Sequence, residues 1–409
     1  MYLRPMTAAP AAAPAMTMKS LLLIDISHFN RNHYNPLDRF NLTMNPLAED
    51  LKRDVEQDIT TCGLCKKCLF LCPLPESKDI DVFTLNREVS KDQPSKEILD
   101  FAFLCMSCGQ CNYSCPNYQH MVNRLIYLRS KGRIPRGLKP LLHWRGQRLG
   151  VVDRALYGLK KRLASVHPRI APHIDKKEYR KSDLLFYFSC YAFSPSEVPW
   201  KTLAIADHLG LDYEVVAGYS SCCGWPHYLA GDFTSAEQLF KDLAALIEET
   251  GAKTVVTGCA ECYRALELIK NRYGGGYTPL TTTEWVLGHM DRLNLQGSDE
   301  LVTFHDACNL SRYDGKQEAP RKVVKRLFRL VEMERTGKDT LCCGAMRQNH
   351  EKEGLMELRK KRLAEAKETG ATAMVTECIT CYEVYKPLAE GIKVMDLVEA
   401  LYDSIAKEG

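Results

Sequence analysis

Ten of the eighteen cysteines in this 409-residue chain fall into one pattern that occurs twice. A lone cysteine (Cys190, Cys308) is followed by Cys-Cys-Gly (Cys222-Cys223-Gly224, Cys342-Cys343-Gly344). A Cys-x-x-Cys comes next (Cys259/Cys262, Cys378/Cys381). Corresponding cysteines lie 118 to 120 residues apart. The likeness extends past the cysteines. Gly251–Tyr263 and Gly370–Tyr382 are identical at seven of 13 positions. A duplicated unit accounts for this, and two such units are expected to face each other across a pseudo-two-fold axis.

A chain of this length, with 45% hydrophobic and 26% charged residues, can form two or three domains with ample cores. It does not need cysteines as staples. Cys-x-x-Cys runs in a large chain point to metal ligation in a reducing compartment rather than to disulfides. Five thiols per set is one more than a cubane or a tetrahedral zinc takes. Neighbouring side chains diverge in extended backbone, so Cys222 and Cys223 reach one centre only if the chain bends sharply. Gly224 permits that bend because glycine tolerates positive φ, and Gly344 does the same for Cys342 and Cys343. Soft thiolates select iron–sulfur clusters. Two readings remain open: a cluster with a bridging or extra thiolate, or a cubane with one spare cysteine.

The other eight cysteines form Cys62-Gly-Leu-Cys65-Lys-Lys-Cys68-Leu-Phe-Leu-Cys72-Pro73 and Cys105-Met-Ser-Cys108-Gly-Gln-Cys111-Asn-Tyr-Ser-Cys115-Pro116. Both match C-x₂-C-x₂-C-x₃-C-P, the run of two-cluster ferredoxins, whose fourth cysteine serves the other cluster. Cys62, Cys65, Cys68 and Cys115 are thus expected to hold one 4Fe–4S cubane. Cys105, Cys108, Cys111 and Cys72 would hold a second. Zinc uses two separated pairs rather than two runs of four.

Met1–Met18, rich in Ala and Pro, reads as a disordered tail, Leu21–Ile26 as a short strand or cap, and Asn30–Pro46 as irregular. A helix is predicted from Leu47 to Ile59, with Leu51, Val55 and Ile59 four apart. Pro73–Leu104 reads as helical or irregular, with Glu97–Leu104 leading into the second run. Residues 124–181 carry 17 Lys/Arg against 3 Asp/Glu, while the remainder carries 38 against 48. Within them an apolar stripe runs from Leu138 to Leu163. It suits a membrane-surface helix, a docking face for an acidic partner, or a connecting helix packed on its own domain. Nucleic acid is not expected as a partner, since no recognition motif accompanies the basic residues. From Asp183 strand and helix alternate. Strands are predicted at Leu184–Phe188, Tyr213–Val216, Thr254–Thr257, Leu301–Phe304, Leu330–Met333 and Met374–Thr376. Helices are predicted at Trp200–Leu209, Thr234–Thr250, Arg321–Leu330 and Glu351–Thr369. The fold expected is α+β: a mainly helical two-cluster ferredoxin-like domain followed by two pseudo-symmetric α/β repeats. The boundaries are 1–46 (extension), 47–123 (ferredoxin-like), 124–181 (basic linker), 182–297 and 298–409 (repeats).

No run of about 18 apolar residues exists to span a bilayer, and Leu21–Ile24 is too short for a signal-peptide core. A cytoplasmic location is expected, with membrane contact only through a surface or a partner. No Gly-rich dinucleotide fingerprint follows a strand, so electrons are expected from a partner subunit.

Over residues 55–405 the chain resembles the CCG cysteine-rich proteins, the catalytic subunits of heterodisulfide reductase and their relatives. The Cys190…Cys262 and Cys308…Cys381 patterns carry the resemblance, with His305-Asp306-Ala-Cys308 and Arg312-Tyr313. The front resembles that enzyme's small iron–sulfur subunit, fused as in its membrane-bound form. The resemblance implies a noncubane 4Fe–4S cluster on Cys190, Cys222, Cys223, Cys259 and Cys262. It implies another on Cys308, Cys342, Cys343, Cys378 and Cys381, with a disulfide substrate split between them. Cys223, Cys343, His227, His305 and Arg312 are then the catalytic candidates, with Arg347 beside them. The side chains that are not ligands could protonate a leaving thiolate or bind an anionic tail; each could also merely pack near its cluster. Similar fused chains serve as iron–sulfur subunits of glycolate, lactate and glycerol-3-phosphate dehydrogenases and of electron-transfer-flavoprotein complexes. The implied partner is a flavoprotein, a hydrogenase-type module or a membrane cytochrome. The implied role is either disulfide reduction or electron relay.

Overall fold

Short apolar runs alternating with amphipathic stretches fold as two copies of one parallel sheet, preceded by a lobe of helices. The computed structural model describes residues 46–135, 166–345 and 353–406. The tail read at Met1–Met18, the strand or cap at Leu21–Ile26, the 138–163 stripe and Arg347 lie outside those residues.

The front lobe begins with α1 (Pro46–Thr60), which buries Leu47 together with Leu51 and Val55 of the predicted row and leaves Ile59 half-buried. Next come α2 (Lys67–Phe70) and α3 (Val82–Val89). The Asp81 carboxylate caps α3 by accepting from Thr84 N at 2.8 Å. Then follow α4 (Lys96–Leu104), α5 (Gln110–Tyr113) and α6 (Met121–Lys131). The basic stretch does not start as surface. Arg124 and Arg129 on α6 are fully buried, because each guanidinium finds acceptors inside the lobe.

The first repeat runs β1 (Leu184–Ser189), α7 (Val198–His208), β2 (Glu214–Ala217), α8 (Trp225–Leu229), α9 (Phe233–Thr250), β3 (Thr254–Thr257), α10 (Ala260–Tyr273), β4 (Thr278–Thr281) and α11 (Thr282–Leu287). The second runs β5 (Leu301–His305), α12 (Glu318–Leu327), β6 (Arg329–Val331), α13 (Glu353–Glu368), β7 (Ala373–Thr376), α14 (Ile379–Tyr385), β8 (Lys393–Asp396) and α15 (Leu397–Asp403). The sheet orders are β2-β1-β3-β4 and β6-β5-β7-β8, with every pairing parallel. The central strands β1, β3, β5 and β7 are almost wholly buried, as strands covered on both faces must be. Phe186, Phe188 and Phe304 are at most 1% exposed, each worth about 2–3 kcal/mol of burial.

Two expectations need correction. The helix read as Arg321–Leu330 spans Glu318–Leu327, and the strand read as Leu330–Met333 is Arg329–Val331. Pro320 is tolerated in the first turn, which moves the start back. Phe328 turns extended (φ −142°, ψ 170°) so that Arg329 can pair with Leu301. The edge strands β4 and β8 were not anticipated; they are four residues each and carry a proline or a lysine. Thr281 and Asp396, which end them at equivalent places, cap the next helix through Glu284 N and Val398 N.

Asp396 is fully buried, and loss of solvation, reinforced by Glu399, pushes its carboxyl from the ordinary 3.8 up to about 8. Between those values the folded chain holds a proton that the unfolded chain has lost. Stability from this group is therefore full below about pH 4 and is lost as pH rises to about 8. Asp396→Asn keeps the cap and removes the ionisation. Urea midpoints of the variant are expected to fall less between pH 4 and 8 than those of the parent. Parallel curves would contradict this.

Candidate metal centre

All eighteen cysteines are free thiols. Both cysteine runs of the front lobe curl in the same way. Leu64 and Ser107, each just before the second cysteine of its run, have φ of 52° and 56°. Lys66 and Gly109, each just after it, have φ of 59° and 76°. Three of these four are not glycine, so Leu64, Lys66 and Ser107 each store about 1–3 kcal/mol to aim the thiols of their run at a common point. Backbone N–H groups two residues on turn towards the sulfurs. Ser107 N lies 3.3 Å from Cys105 Sγ, and Leu64, Leu74 and Gln110 do the same for Cys62, Cys72 and Cys108.

The two runs cross over. Cys62, Cys65, Cys68 and Cys115 line one cavity with Arg124 in its wall, and Cys111 also reaches it. Cys72, Cys105, Cys108 and Cys111 line the next, with Cys68 between the two. Burial pushes the Cys62 thiol up. The Leu64 N–H, Asn86 and Arg124 outweigh it and hold the thiol below its ordinary value, which favours a thiolate. Burial and the charges of Cys108 and Cys105 push Cys72 up to about 12.

In each repeat the cysteines sit at the carboxyl ends of the parallel strands, where open α/β sheets bind ligands. Cys190 follows β1, Cys222-Cys223 follow β2, and Cys259 and Cys262 stand at the mouth of α10. The second repeat matches, with Cys308 opening a five-residue π-helical turn, Asn309–Tyr313. Gly224 and Gly344 adopt φ of 74° and 70°, the bend their Cys-Cys pairs require. Nine of the ten thiols are buried; Cys190 is half-buried. Cys308 Sγ and Cys342 Sγ stand 3.5 Å apart, as do Cys381 Sγ and Cys343 Sγ. In the first repeat Cys262 meets Cys223 and Cys259 in the equivalent way. Hydrogen bonds from Cys342 and Cys381 pull the Cys343 thiol down to about 5 against its burial. Among the described residues, no three or more His, Cys, Asp or Glu side chains converge as a single-ion site. The front-lobe thiols and the contacting thiols of the repeats, several served by backbone N–H donors, fit soft, sulfur-ligated iron.

The sets adjoin one another. Cys108 of the front lobe contacts Cys342 of the second repeat, and both lie in one apolar cluster with Leu74, Leu104, Met106 and Cys308. The two repeats meet where Ile379 N donates to Gly258 O at 3.1 Å. There Cys259 Sγ lies 3.7 Å from Thr380 Oγ1.

The five catalytic candidates separate by position. Cys223 and Cys343 are buried within their sets. His227 is buried beside Asp232, with Nδ1 2.9 Å from Oδ2 and no partner for Nε2 among the described residues. His305 is fully buried against Arg362. Arg312 donates to Lys338 O, Cys108 O, Gln110 Oε1 and Thr340 O, which uses four of its five N–H groups inside the protein. It ties the second cysteine run to the second repeat, and the expected role of gripping an anionic substrate tail has little of the guanidinium left to use. Sequence reasoning missed Glu261. It lies between Cys259 and Cys262, accepts from Cys259 Sγ and Thr380 Oγ1 (both 3.2 Å), and takes Asn309 Nδ2 at 3.4 Å. Burial pushes its carboxyl up. Its counterpart in the second repeat is Thr380, so the asymmetry of Ala-Glu against Ile-Thr inside the two Cys-x-x-Cys runs was the signal available.

The CCG cysteine-rich domain family matches residues 184–267 and again 302–384. A subunit of the fumarate reductase (CoM/CoB) of Methanothermobacter marburgensis is 25% identical over 366 residues, 83% of this chain and 71% of its own. A subunit of the dihydromethanophenazine:CoB–CoM heterodisulfide reductase of Methanosarcina acetivorans is 28% identical over 309 residues, 70% of this chain and 72% of its own. A Bacillus subtilis protein named "Probable iron-sulfur-binding oxidoreductase FadF" is 23% identical over 343 residues, 74% of this chain but 46% of its own. Among the described residues no helix is long and apolar enough to cross a membrane.

Proposed function

We propose that this chain, which carries the CCG cysteine-rich domain twice, is the iron–sulfur subunit of a multi-subunit oxidoreductase that reduces a disulfide. Cys62, Cys65, Cys68 and Cys115, and Cys72, Cys105, Cys108 and Cys111, would hold two 4Fe–4S cubanes. The two five-cysteine sets would hold noncubane 4Fe–4S clusters. Bound iron–sulfur clusters supply one-electron transfer at potentials set by their ligands and hydrogen bonds. The domain division read from the sequence, 47–123, 182–297 and 298–409, goes with this reading. The partner would be a flavoprotein, a hydrogenase-type module or a membrane cytochrome at the cytoplasmic side.

The observation that carries the reading is the unbroken adjacency of thiols. Cys68 stands between the two front cavities, Cys108 touches Cys342, and Cys259 borders the Cys378–Cys381 run across the seam. Arg312 and Arg129 fix the front lobe against the second and first repeats, so this line does not depend on a mobile joint. The two five-thiol sets suit a two-electron substrate with two sulfur atoms.

A second reading is electron relay without a substrate at this chain, favoured by the likeness to the Bacillus protein, named as a probable iron–sulfur-binding oxidoreductase. One anaerobic assay separates the two. The fully clustered protein with reduced viologen and the heterodisulfide of coenzyme M and coenzyme B is expected to release two thiols per two viologens oxidised. Cluster reduction without thiol release would discard the first reading for that substrate.

A further inference from the structure

Tyr385 ends α14, four residues after Cys381, and its side chain is fully buried near Cys343, Cys381 and Cys342. Its hydroxyl has no hydrogen-bond partner among the described residues. The His305 ring meets the Tyr385 ring edge-on, with centroids 4.9 Å apart at 76°. His305 Nδ1 accepts from Arg362 Nε at 3.0 Å, so the proton of the neutral ring sits on Nε2. That Nε2 is buried and also has no partner among the described residues. Two buried donors without acceptors are costly, and native proteins seldom leave them so. The Tyr385 side chain lies near Cys342, Cys343 and Cys381, and His305, three residues before Cys308, packs on its ring.

The corresponding positions of the first repeat are built differently. Counting from its cysteines, the position of Tyr385 is Leu266 and that of His305 is Tyr187. The Tyr187 hydroxyl is already committed to Ser221 O at 2.6 Å. The two sites therefore differ in the donors their surroundings offer, although their cysteines correspond one to one.

We propose that Tyr385, with His305 beside it, donates hydrogen bonds to the sulfur of the group held by Cys308, Cys342, Cys343, Cys378 and Cys381. These bonds stabilise its reduced, more negative state and raise its reduction potential. This rests on the reading that each five-cysteine set holds an iron–sulfur cluster.

The test is an anaerobic redox titration of the full-length clustered protein followed by electron paramagnetic resonance. Cys343→Ala and Cys223→Ala assign one signal to each repeat. Tyr385→Phe removes only the hydroxyl. His305→Asn keeps an acceptor for Arg362 and removes the Nε2 donor. Both variants are expected to shift the midpoint of the Cys343-dependent signal to lower potential, with the Cys223-dependent signal unmoved and iron content unchanged. Unchanged midpoints in both variants overturn the proposal and leave the cluster reading intact. A Cys343→Ala protein that keeps all its iron and every signal overturns the cluster reading itself.

Discussion

Arg129→Met is expected to lower the unfolding free energy by about 3–5 kcal/mol, the cost of breaking a buried charged network from one side. Arg129 is completely buried on α6 and donates to Ala102 O (2.7 Å), Cys105 O (2.6 Å), Leu229 O (2.5 Å) and Ser107 Oγ (3.3 Å). Ala102 and Leu229 lie in the last turns of α4 and α8, where carbonyls lack intrahelical partners and carry partial negative charge. Methionine fills similar space but leaves these acceptors dry. Lysine would reach only some of them, because it lacks the planar fork. The contact is also backbone-tight. A Cβ on Gly231 would stand 2.4 Å from Ser130 N. The measurement is the urea midpoint of the clustered protein, with the slope checked for constancy. A loss below about 1 kcal/mol, the worth of one ordinary hydrogen bond, would show that Arg129 is not the joint between lobe and repeat.

Cys115→Ala should remove the same spectroscopic signal as Cys62→Ala, and Cys72→Ala the same signal as Cys105→Ala, although each pair joins opposite runs. Each change is expected to cost about one cubane of iron, a quarter of the total if four clusters are bound. Cys115 lines the cavity of Cys62, Cys65 and Cys68, while Cys72 lines that of Cys105, Cys108 and Cys111. Signals that instead pair Cys72 with Cys62 would mean that each run wraps its own cluster and that the crossed assignment is wrong. Iron analysis alone cannot separate the two outcomes, so the signals must be resolved individually.

Much of this architecture is legible in the residues. The strands Leu184–Ser189, Thr254–Thr257 and Ala373–Thr376 were visible because strands buried on both faces must be continuously apolar. Gly251 and Gly370 stop their helices at φ of 66° and 75°, where the sequence puts the stop. The edge strands β4 and β8 were not visible. Four residues containing Pro279 or Lys393 carry no strand signal until a neighbour is there to pair with. Arg124 and Arg129 misled for a related reason. In sequence they open a basic stretch, and only the carbonyls of α4 and α8 and the Asn86 side chain, distant along the chain, turn them into buried donors.

Spacing along the chain is enough to establish the repeat, the four groups of cysteines and the bends their glycines permit. It is a local constraint, and a thiol two residues from the next has few places to point. Which group lies beside which is a matter of packing. Packing sets Cys108 against Cys342, puts Glu261 between the repeats and leaves Tyr385 beside Cys343 with no partner for its hydroxyl among the described residues. Those neighbours come from different elements, so their distances depend on how helices and sheets stack and not on any interval in the sequence.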